Sequence, residues 1–157
     1  NMTGITTVAA GATFAASTPD AVLAIINNAL TGIETASLGI EIADTIILPL
    51  KAAATMERRL GDGSDTTILD FISRANRYTR QTGQSLSIEF DWRLDAFNRM
   101  IVYRRDPQVL KMHMPMPLRF IAPQSVNLEV KVLGMFRFAP VNIRRPVAVR
   151  YVSGVTV

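Results

Sequence analysis

Hydrophobic residues in the first half of the chain recur at the spacing of a helix. Residues 17–20 (Ser-Thr-Pro-Asp) predict a helix start, because a hydroxyl can cap free amides, proline fits the first turn and aspartate suits the positive end of the dipole. Gly39 is the predicted stop. The apolar residues between them share one helical face: Val22, Ile25, Ile26, Ala29 and Ile33.

Three further segments complete the first half. The short β-branched run at residues 45–48 predicts a buried strand. Residues 51–60 predict a second helix, since they are rich in alanine and end in basic residues before a glycine. Asp65 or Thr66 is the predicted cap of a third helix. The polar residues 76–84 predict a loop.

The pattern changes to strict alternation in the second half of the chain. Residues 86–94 give the clearest predicted strand, with apolar and polar side chains on opposite faces. Residues 100–103, 126–132 and 147–151 predict further strands, and Gly134 marks a predicted bulge. The pattern therefore predicts an α+β fold, with helices in the first half and mainly antiparallel strands in the second.

The length of 157 residues fits one domain, or one domain with an extension. Residues 1–17 are rich in threonine, alanine and glycine and predict an extended lead-in or a cut end, and residues 18–157 the folded domain. The absence of cysteine excludes disulfides and thiolate chemistry. No apolar run approaches the ~18 residues of a membrane span, and the N-terminal residues lack the pattern of a secretory signal.

The charge pattern is mildly basic. The chain has 17 Lys and Arg residues against 13 Asp and Glu, a net charge of +4. Charged residues make up 19%, below the roughly 25% of a typical soluble domain. This shortfall indicates either a surface covered by a partner or a slightly apolar monomer. The arginines form three doublets, at 58–59, 104–105 and 144–145.

The candidates for metal chemistry are few. His113 is the single histidine, within a Met- and Pro-rich segment (111–117) that could bind a soft cation such as copper(I). The alternative is an edge segment whose methionines fill gaps. Residues 62–65 faintly match a calcium loop, but position twelve is Ser73 instead of glutamate, which favours a turn and a helix cap.

The candidates for catalysis are equally sparse. Glu89 and Asp91 share one strand face and could flank a glycosidic bond, but they also fit the solvated side of a half-buried strand. No nucleophile elbow accompanies His113, and no phosphate-binding glycine loop is present. The sequence therefore predicts no enzyme, no cofactor, no metal site and no small-molecule substrate.

Arginine beside aromatic residues, at 103–105 and 136–138, is compatible with binding nucleic acid through charge and stacking. No recognition helix or RNA-binding motif organises these residues. Salt-bridged surface arginines and subunit contacts are the two alternatives. A basic nucleic-acid-binding module without sequence specificity is accordingly the second functional hypothesis.

Several ordered segments resemble the major capsid proteins of tailed phages and prophages. They are MIVYRRDPQVLKMHMPMPLRF (100–120), MFR (135–137), VNIRRPVAVRYVSGV (141–155), DTIILP (44–49), RLG (59–61) and TILDF (67–71). The resemblance covers most of residues 18–155. It implies the tailed-phage major capsid fold, with an axial domain and part of a peripheral domain. On this reading, the chain corresponds to the C-terminal half of a longer capsid protein whose N-terminal arm, protruding loop and spine helix precede residue 1.

The resemblance also implies a function. The expected role is a structural coat protein that self-assembles into an icosahedral shell around DNA. Its expected partners are copies of itself, in pentameric and hexameric rings, and packaged DNA through non-specific contacts, with no membrane. The expected location is the virion, after assembly in the cytoplasm of a bacterial host. From charge alone, four residues are predicted as subunit contacts: Arg58, Arg59, Arg144 and Arg145.

Overall fold

The computed structural model describes residues 4–61 and 63–156. These residues divide into two compact units. The first unit contains the described residues up to Asp106 and those from Arg145 onward, and the second is Pro107–Arg144. The chain leaves the first unit after Asp106 and returns to it at Arg145.

The α-helices of the described residues are α1 (Pro19–Ala36), α2 (Ala53–Met56), α3 (Ile68–Arg74) and α4 (Arg77–Thr82). Short 3-10 helices span Leu50–Ala52, Trp92–Phe97 and Pro146–Ala148. The strands are β1 (Thr6–Ala9), β2 (Thr45–Pro49), β3 (Ser87–Asp91), β4 (Arg99–Tyr103), β5 (Leu110–Met112), β6 (Met116–Phe120), β7 (Gln124–Val126), β8 (Glu129–Lys131), β9 (Gly134–Arg137), β10 (Val141–Ile143) and β11 (Val149–Ser153).

A five-stranded mixed sheet forms the centre of the first unit, in the order β1-β11-β4-β2-β3. β1 runs parallel to β11 and β2 parallel to β3, whereas β4 is antiparallel to both of its neighbours. The core packs against this sheet and includes Phe14, Ile26, Ile46 and Met100. The predicted lead-in is extended at β1, but it also belongs to the core, since Phe14 is only 1% exposed.

Helix α1 begins where the sequence predicts. The hydroxyl of Thr18 accepts a hydrogen bond from the amide of Ala21 at 3.4 Å, and Pro19 occupies the first turn. The predicted apolar face packs inward. The helix ends at Ala36, before Gly39, which lies in the left-handed region at φ +81°.

The second predicted helix is shorter than expected, and the third has a different cap. The segment 51–60 contains one 3-10 turn followed by α2, after which Arg59 forms an isolated bridge with Thr67. The hydroxyl of Thr67, and not a side chain at 65 or 66, caps α3 by accepting from the amide of Asp70 at 3.2 Å. The bridge interrupts the helix because it draws Arg59 into extended pairing.

The prediction of a loop over residues 76–84 is wrong. Asn76 caps α4 by accepting from the amide of Thr79 at 2.9 Å, and Gly83 ends the helix at φ +73°. No α4 residue is buried, so the hydrophobic pattern carries no helical signal there.

Helix α1 passes very close to β11 at Gly32. A Cβ at position 32 would lie 1.0 Å from Nη1 of Arg150, and this Nη1 donates to the carbonyl of Asn28 at 3.4 Å. An alanine here would therefore require the Arg150 guanidinium to move, whereas glycine leaves it in place at a cost of about 1 kcal/mol of helix stability relative to alanine.

Gly32→Ala should stabilise an Arg150→Ala protein by about 1 kcal/mol, because only the gain in helix propensity then remains. In the wild-type chain the same substitution should give no gain, since the new methyl group displaces the guanidinium. Chemical denaturation of the four proteins of this double-mutant cycle measures the coupling. Equal effects of Gly32→Ala in both backgrounds would contradict the proposed clash.

The second unit, Pro107–Arg144, is called the ribbon below. It consists of three antiparallel strand pairs, β5 with β10, β6 with β9, and β7 with β8. The single strand predicted at 126–132 is instead a hairpin, in which Asn127 and Leu128 turn the chain at φ +49° and +67°. The bulge predicted at Gly134 lies elsewhere: Gly134 pairs regularly with Phe120, and the register shifts on β6 between Met116 and Arg119, opposite Met135 to Arg137.

Candidate subunit-contact surfaces

The most buried ionic cluster of the first unit is centred on Glu41, which is 4% exposed. Nη1 of Arg104 donates to one carboxylate oxygen at 2.7 Å, and Nη1 of Arg145 donates to the other. Nη2 of Arg104 also lies 3.3 Å from a carboxylate oxygen of Asp106. The Ser37 hydroxyl holds the Glu41 backbone by accepting from its amide at 3.0 Å. The cluster joins the segment after α1 to both borders of the ribbon insertion.

Burial tends to raise the pKa of the Glu41 carboxyl, but the hydrogen bonds from Arg145 and Arg104 outweigh it and lower the pKa below its ordinary value of 4.5. The bond from Glu41 also raises the pKa of Arg104. A carboxylate with a lowered pKa stabilises the fold above the unfolded pKa, and this contribution is lost as the pH falls through the folded value. The cluster is therefore a stabilising feature at neutral pH.

The carboxylates considered for glycosidic chemistry have structural partners. Nη1 of Arg105 donates to Glu89 at 3.1 Å, and Asp91 accepts from the amide of Arg93 at 2.9 Å. The amide of Arg105 donates to Asp44 at 2.7 Å, which fixes this arginine beside the sheet. Glu89 thus links β3 to the segment after β4, across β2, and Asp91 holds the backbone that follows β3.

The four predicted contact arginines differ in their surroundings and in whether they already hold a partner within the chain. Arg58 and Arg59 are exposed beside an open groove of about 440 Å³ that Ser17–Pro19 also line, and neither forms an ion pair with another described residue. Arg144 is exposed at the end of the ribbon, and its amide donates to the carbonyl of Val109 at 2.8 Å. Arg145 differs, because it holds Glu41 while half of its side chain stays exposed.

The metal candidates do not converge in the structure. His113 is exposed in the ribbon, where its carbonyl accepts from the amide of Ala139 at 2.9 Å. Within residues 4–61 and 63–156, no three residues among His, Cys, Asp and Glu are grouped so as to hold a metal ion. In the calcium-loop candidate, Asp62 lies outside the described residues.

Within the described residues 4–61 and 63–156, no helix has the length and apolar character needed to cross a membrane.

The ribbon carries most of the exposed apolar surface of the described chain. Of 22 large hydrophobic residues that are exposed, 14 lie within its 38 residues. This set, called the apolar surface of the ribbon, comprises Met112, Met114, Leu118, Phe120, Ile121, Val126, Leu128, Val130, Val132, Leu133, Met135, Phe136, Phe138 and Val141. The rings of Phe136 and Phe138 stack at 5.7 Å.

The ribbon also carries the whole net charge of the chain. Its cationic residues outnumber its acidic residues by five to one, which gives +4 and leaves the rest of the chain neutral overall. The residues concerned are Lys111, Arg119, Lys131, Arg137 and Arg144, against Glu129. Arg119 and Arg137 line an open groove of about 810 Å³ along β6 and β9. The ribbon is therefore both basic and apolar.

Comparison with solved structures finds two that share this fold. The chain is similar to the capsid of Myoviridae phage XM1, with a TM-score of 0.80 at 18% identity, over 97% of this chain and 52% of that one. It is also similar to a virus-like particle from Pyrococcus furiosus, with a TM-score of 0.69 at 17% identity, over 97% of this chain and 57% of that one. The chain thus spans about half the length of these two chains. The α+β capsid fold predicted from the sequence is confirmed.

A family model described as major capsid protein matches residues 1–155, and the chain belongs to that family. A comparison with curated proteins finds no match. Membership makes this a structural, non-enzymatic protein and a component of a virion. The resemblance inferred from the sequence is confirmed.

Proposed function

We propose that this chain provides part of a coat subunit that assembles with copies of itself into an icosahedral shell enclosing DNA. The observation that carries the proposal is the match to the major capsid family over nearly the whole chain. The likeness to a phage capsid and to a virus-like particle, each over 97% of the chain, supports it. Assembly takes place in the cytoplasm of a bacterial host.

The mechanism is geometric. Identical subunits meet through contacts between different surfaces, and such contacts close into rings when the rotation allows it. Rings of five and six then combine into a shell, in which many weak contacts act together. The sheet and helices of the first unit supply a rigid body, and charge at the subunit edges sets the register more than the affinity.

The experiment that tests this proposal is electron microscopy of the purified complete gene product, combined with nuclease treatment. We expect closed particles with fivefold and sixfold rings that protect DNA from digestion. The protected DNA should show no sequence preference, because the contacts are to phosphates. A salt-dependent shift on random DNA without any particles would instead favour the basic nucleic-acid-binding module.

The four predicted subunit contacts are Arg58, Arg59, Arg144 and Arg145. The first two provide the test described here. The first pair is exposed and unpaired among the described residues, as expected of arginines that await a partner surface. Arg58→Glu with Arg59→Glu should lower the particle yield about tenfold or more while changing the free energy of unfolding by about 0.5 kcal/mol or less.

The matched control is Arg74→Glu. Arg74 is 77% exposed in its side chain, and among the described residues its one ion pair is with Asp70 on its own helix, at 2.9 Å. Exposed pairs of this kind contribute about 0.5 kcal/mol. The control should assemble normally. Normal assembly of the Arg58 and Arg59 variant would remove this pair from the set of subunit contacts.

A further inference from the structure

We infer that Glu41 acts as a clamp on one border of the ribbon, where it holds the returning chain through Arg145, whereas the outgoing chain has further contacts that do not involve Glu41. The outgoing segment is residues 104–109, and the return segment is residues 144–148. Breaking the clamp should open the return segment locally and leave the outgoing segment and the five-stranded sheet in place. The clamp is a property of the single chain and does not depend on the proposed shell function.

Regular strand pairing is interrupted where the chain leaves for the ribbon and returns from it. On one side of the interruption Tyr103 pairs with Val149, and on the other side Leu110 pairs with Ile143. Six residues of the outgoing chain and five of the returning chain lie between these pairs, so the two segments differ in length by one residue. The two segments therefore depend on contacts other than a continuous ladder, and we expect a locally weak point there.

The start of the outgoing segment is fixed through its backbone to the chain between α1 and β2. The amide of Asp44 donates to the carbonyl of Tyr103 at 3.3 Å, and the carboxylate of Asp44 accepts from the amide of Arg105 at 2.7 Å. The hydroxyl of Thr45 donates to the same carboxylate oxygen at 2.9 Å and holds it in position. These three bonds do not involve Glu41, so they remain when the ion pairs of Glu41 are broken.

The return segment is anchored differently. Its residues 144, 145 and 147 are exposed, and Ala148 is the first that is fully buried. The carbonyl of Arg145 accepts from the amide of Ala148 at 3.1 Å, which closes a turn within the segment itself. The side chain of Arg145 reaches out of the segment, and among the described residues its one ion pair is with Glu41. An exposed segment with little buried surface has low local stability, so this ion pair has a large share in holding it.

Glu41 supplies a fixed point for Arg145. It is 4% exposed, and the Ser37 hydroxyl holds its backbone by accepting from its amide at 3.0 Å and donating to its carbonyl at 3.2 Å. Hydrogen bonds between charged groups are stronger than those between neutral groups. A buried carboxylate also has little access to water that could replace a lost partner. Release of Arg145 is therefore unfavourable, which keeps the return segment closed at neutral pH.

Arg145→Met, made in the complete gene product, tests the clamp, and Arg104→Met is its matched control. Each variant removes one arginine from Glu41 and leaves the other. We expect amide hydrogen exchange, followed by mass spectrometry, to become about tenfold faster over the return segment in Arg145→Met, because a charge-assisted hydrogen bond is lost. In Arg104→Met the outgoing segment should change by about twofold or less, since Asp44 still holds it. Equal acceleration of each segment by its own variant, or an unchanged return segment in Arg145→Met, would overturn the inference.

The same measurement separates a local opening from a general loss of stability. Exchange over β2 should stay at the wild-type rate in Arg145→Met, because the return segment opens alone. Faster exchange over β2 as well would show that the cluster supports the whole first unit, and the inference would then be wrong. Adding Glu41→Gln to Arg145→Met should not accelerate the return segment further, because Arg145 acts through Glu41. A second acceleration of about tenfold would contradict the assignment of Glu41 as the clamp.

Discussion

Replacing Phe14 with alanine should lower the free energy of unfolding by about 3–5 kcal/mol, the usual cost of a buried phenylalanine. Phe14 is 1% exposed in the core, and its amide donates to the carbonyl of Val155 at 2.9 Å. The substitution leaves a cavity that the paired backbone cannot close by collapsing. Guanidinium chloride denaturation followed by tryptophan fluorescence measures the loss.

Phe97→Ala is the matched control for Phe14→Ala. Phe97 is 66% exposed, and its removal should cost about 0.5 kcal/mol or less. Similar losses for both variants would show that residues before α1 do not belong to the core. The comparison distinguishes an integrated N-terminal segment from the loose lead-in expected from its composition.

Replacing Arg104 and Arg145 together with methionine should cost about 3 kcal/mol at pH 7, since it leaves the buried Glu41 carboxylate without a cation. The low end of the usual range applies because the arginine side chains are 37% and 50% exposed. Adding Glu41→Gln should restore most of the loss, because no buried charge then remains. Denaturation of the three proteins at pH 7 measures both steps.

The pH dependence follows from the lowered pKa of Glu41. The wild-type cluster stabilises the fold above pH 4.5, the ordinary pKa of the group, and loses this contribution as the pH falls through the lower folded value. Without the arginines, Glu41 becomes protonated when the chain folds in acid, so the difference between wild type and the double variant should shrink towards pH 3. A difference that stays constant from pH 7 to pH 3 would contradict this assignment.

Signals carried by adjacent residues, such as helix caps, correctly predicted the elements that depend on those residues alone. Thr18 and Pro19 define the start of α1 because capping depends on adjacent residues alone. Helix α4 was missed because its face is polar, although Asn76 and Gly83 were the signals of its two ends. The hydrophobic pattern detects helices that pack into a core and fails for those on the surface.

Contacts between residues that are far apart in the sequence could not be predicted from such local signals. Glu41 lies between two isoleucines, and nothing near it in the sequence indicates that Arg104 and Arg145 would meet it. In the ribbon, the alternation over 126–132 correctly indicated strands, but Asn127 and Leu128 divide them into a hairpin. The alternation did not indicate that the apolar side chains of these strands would be exposed in the folded chain.

The placement of β1 beside β11 has a consequence for synthesis of the protein. These parallel neighbours are separated by about 140 residues of sequence. A ribosome that adds about 5–20 residues per second needs on the order of 10 s to reach β11 after β1 has emerged. β4 and the apolar ribbon are made in the last part of that interval, and β4 lacks one of its two partners until β11 follows. An incomplete chain therefore exposes apolar side chains before its central sheet is closed, the condition under which partly folded chains tend to aggregate.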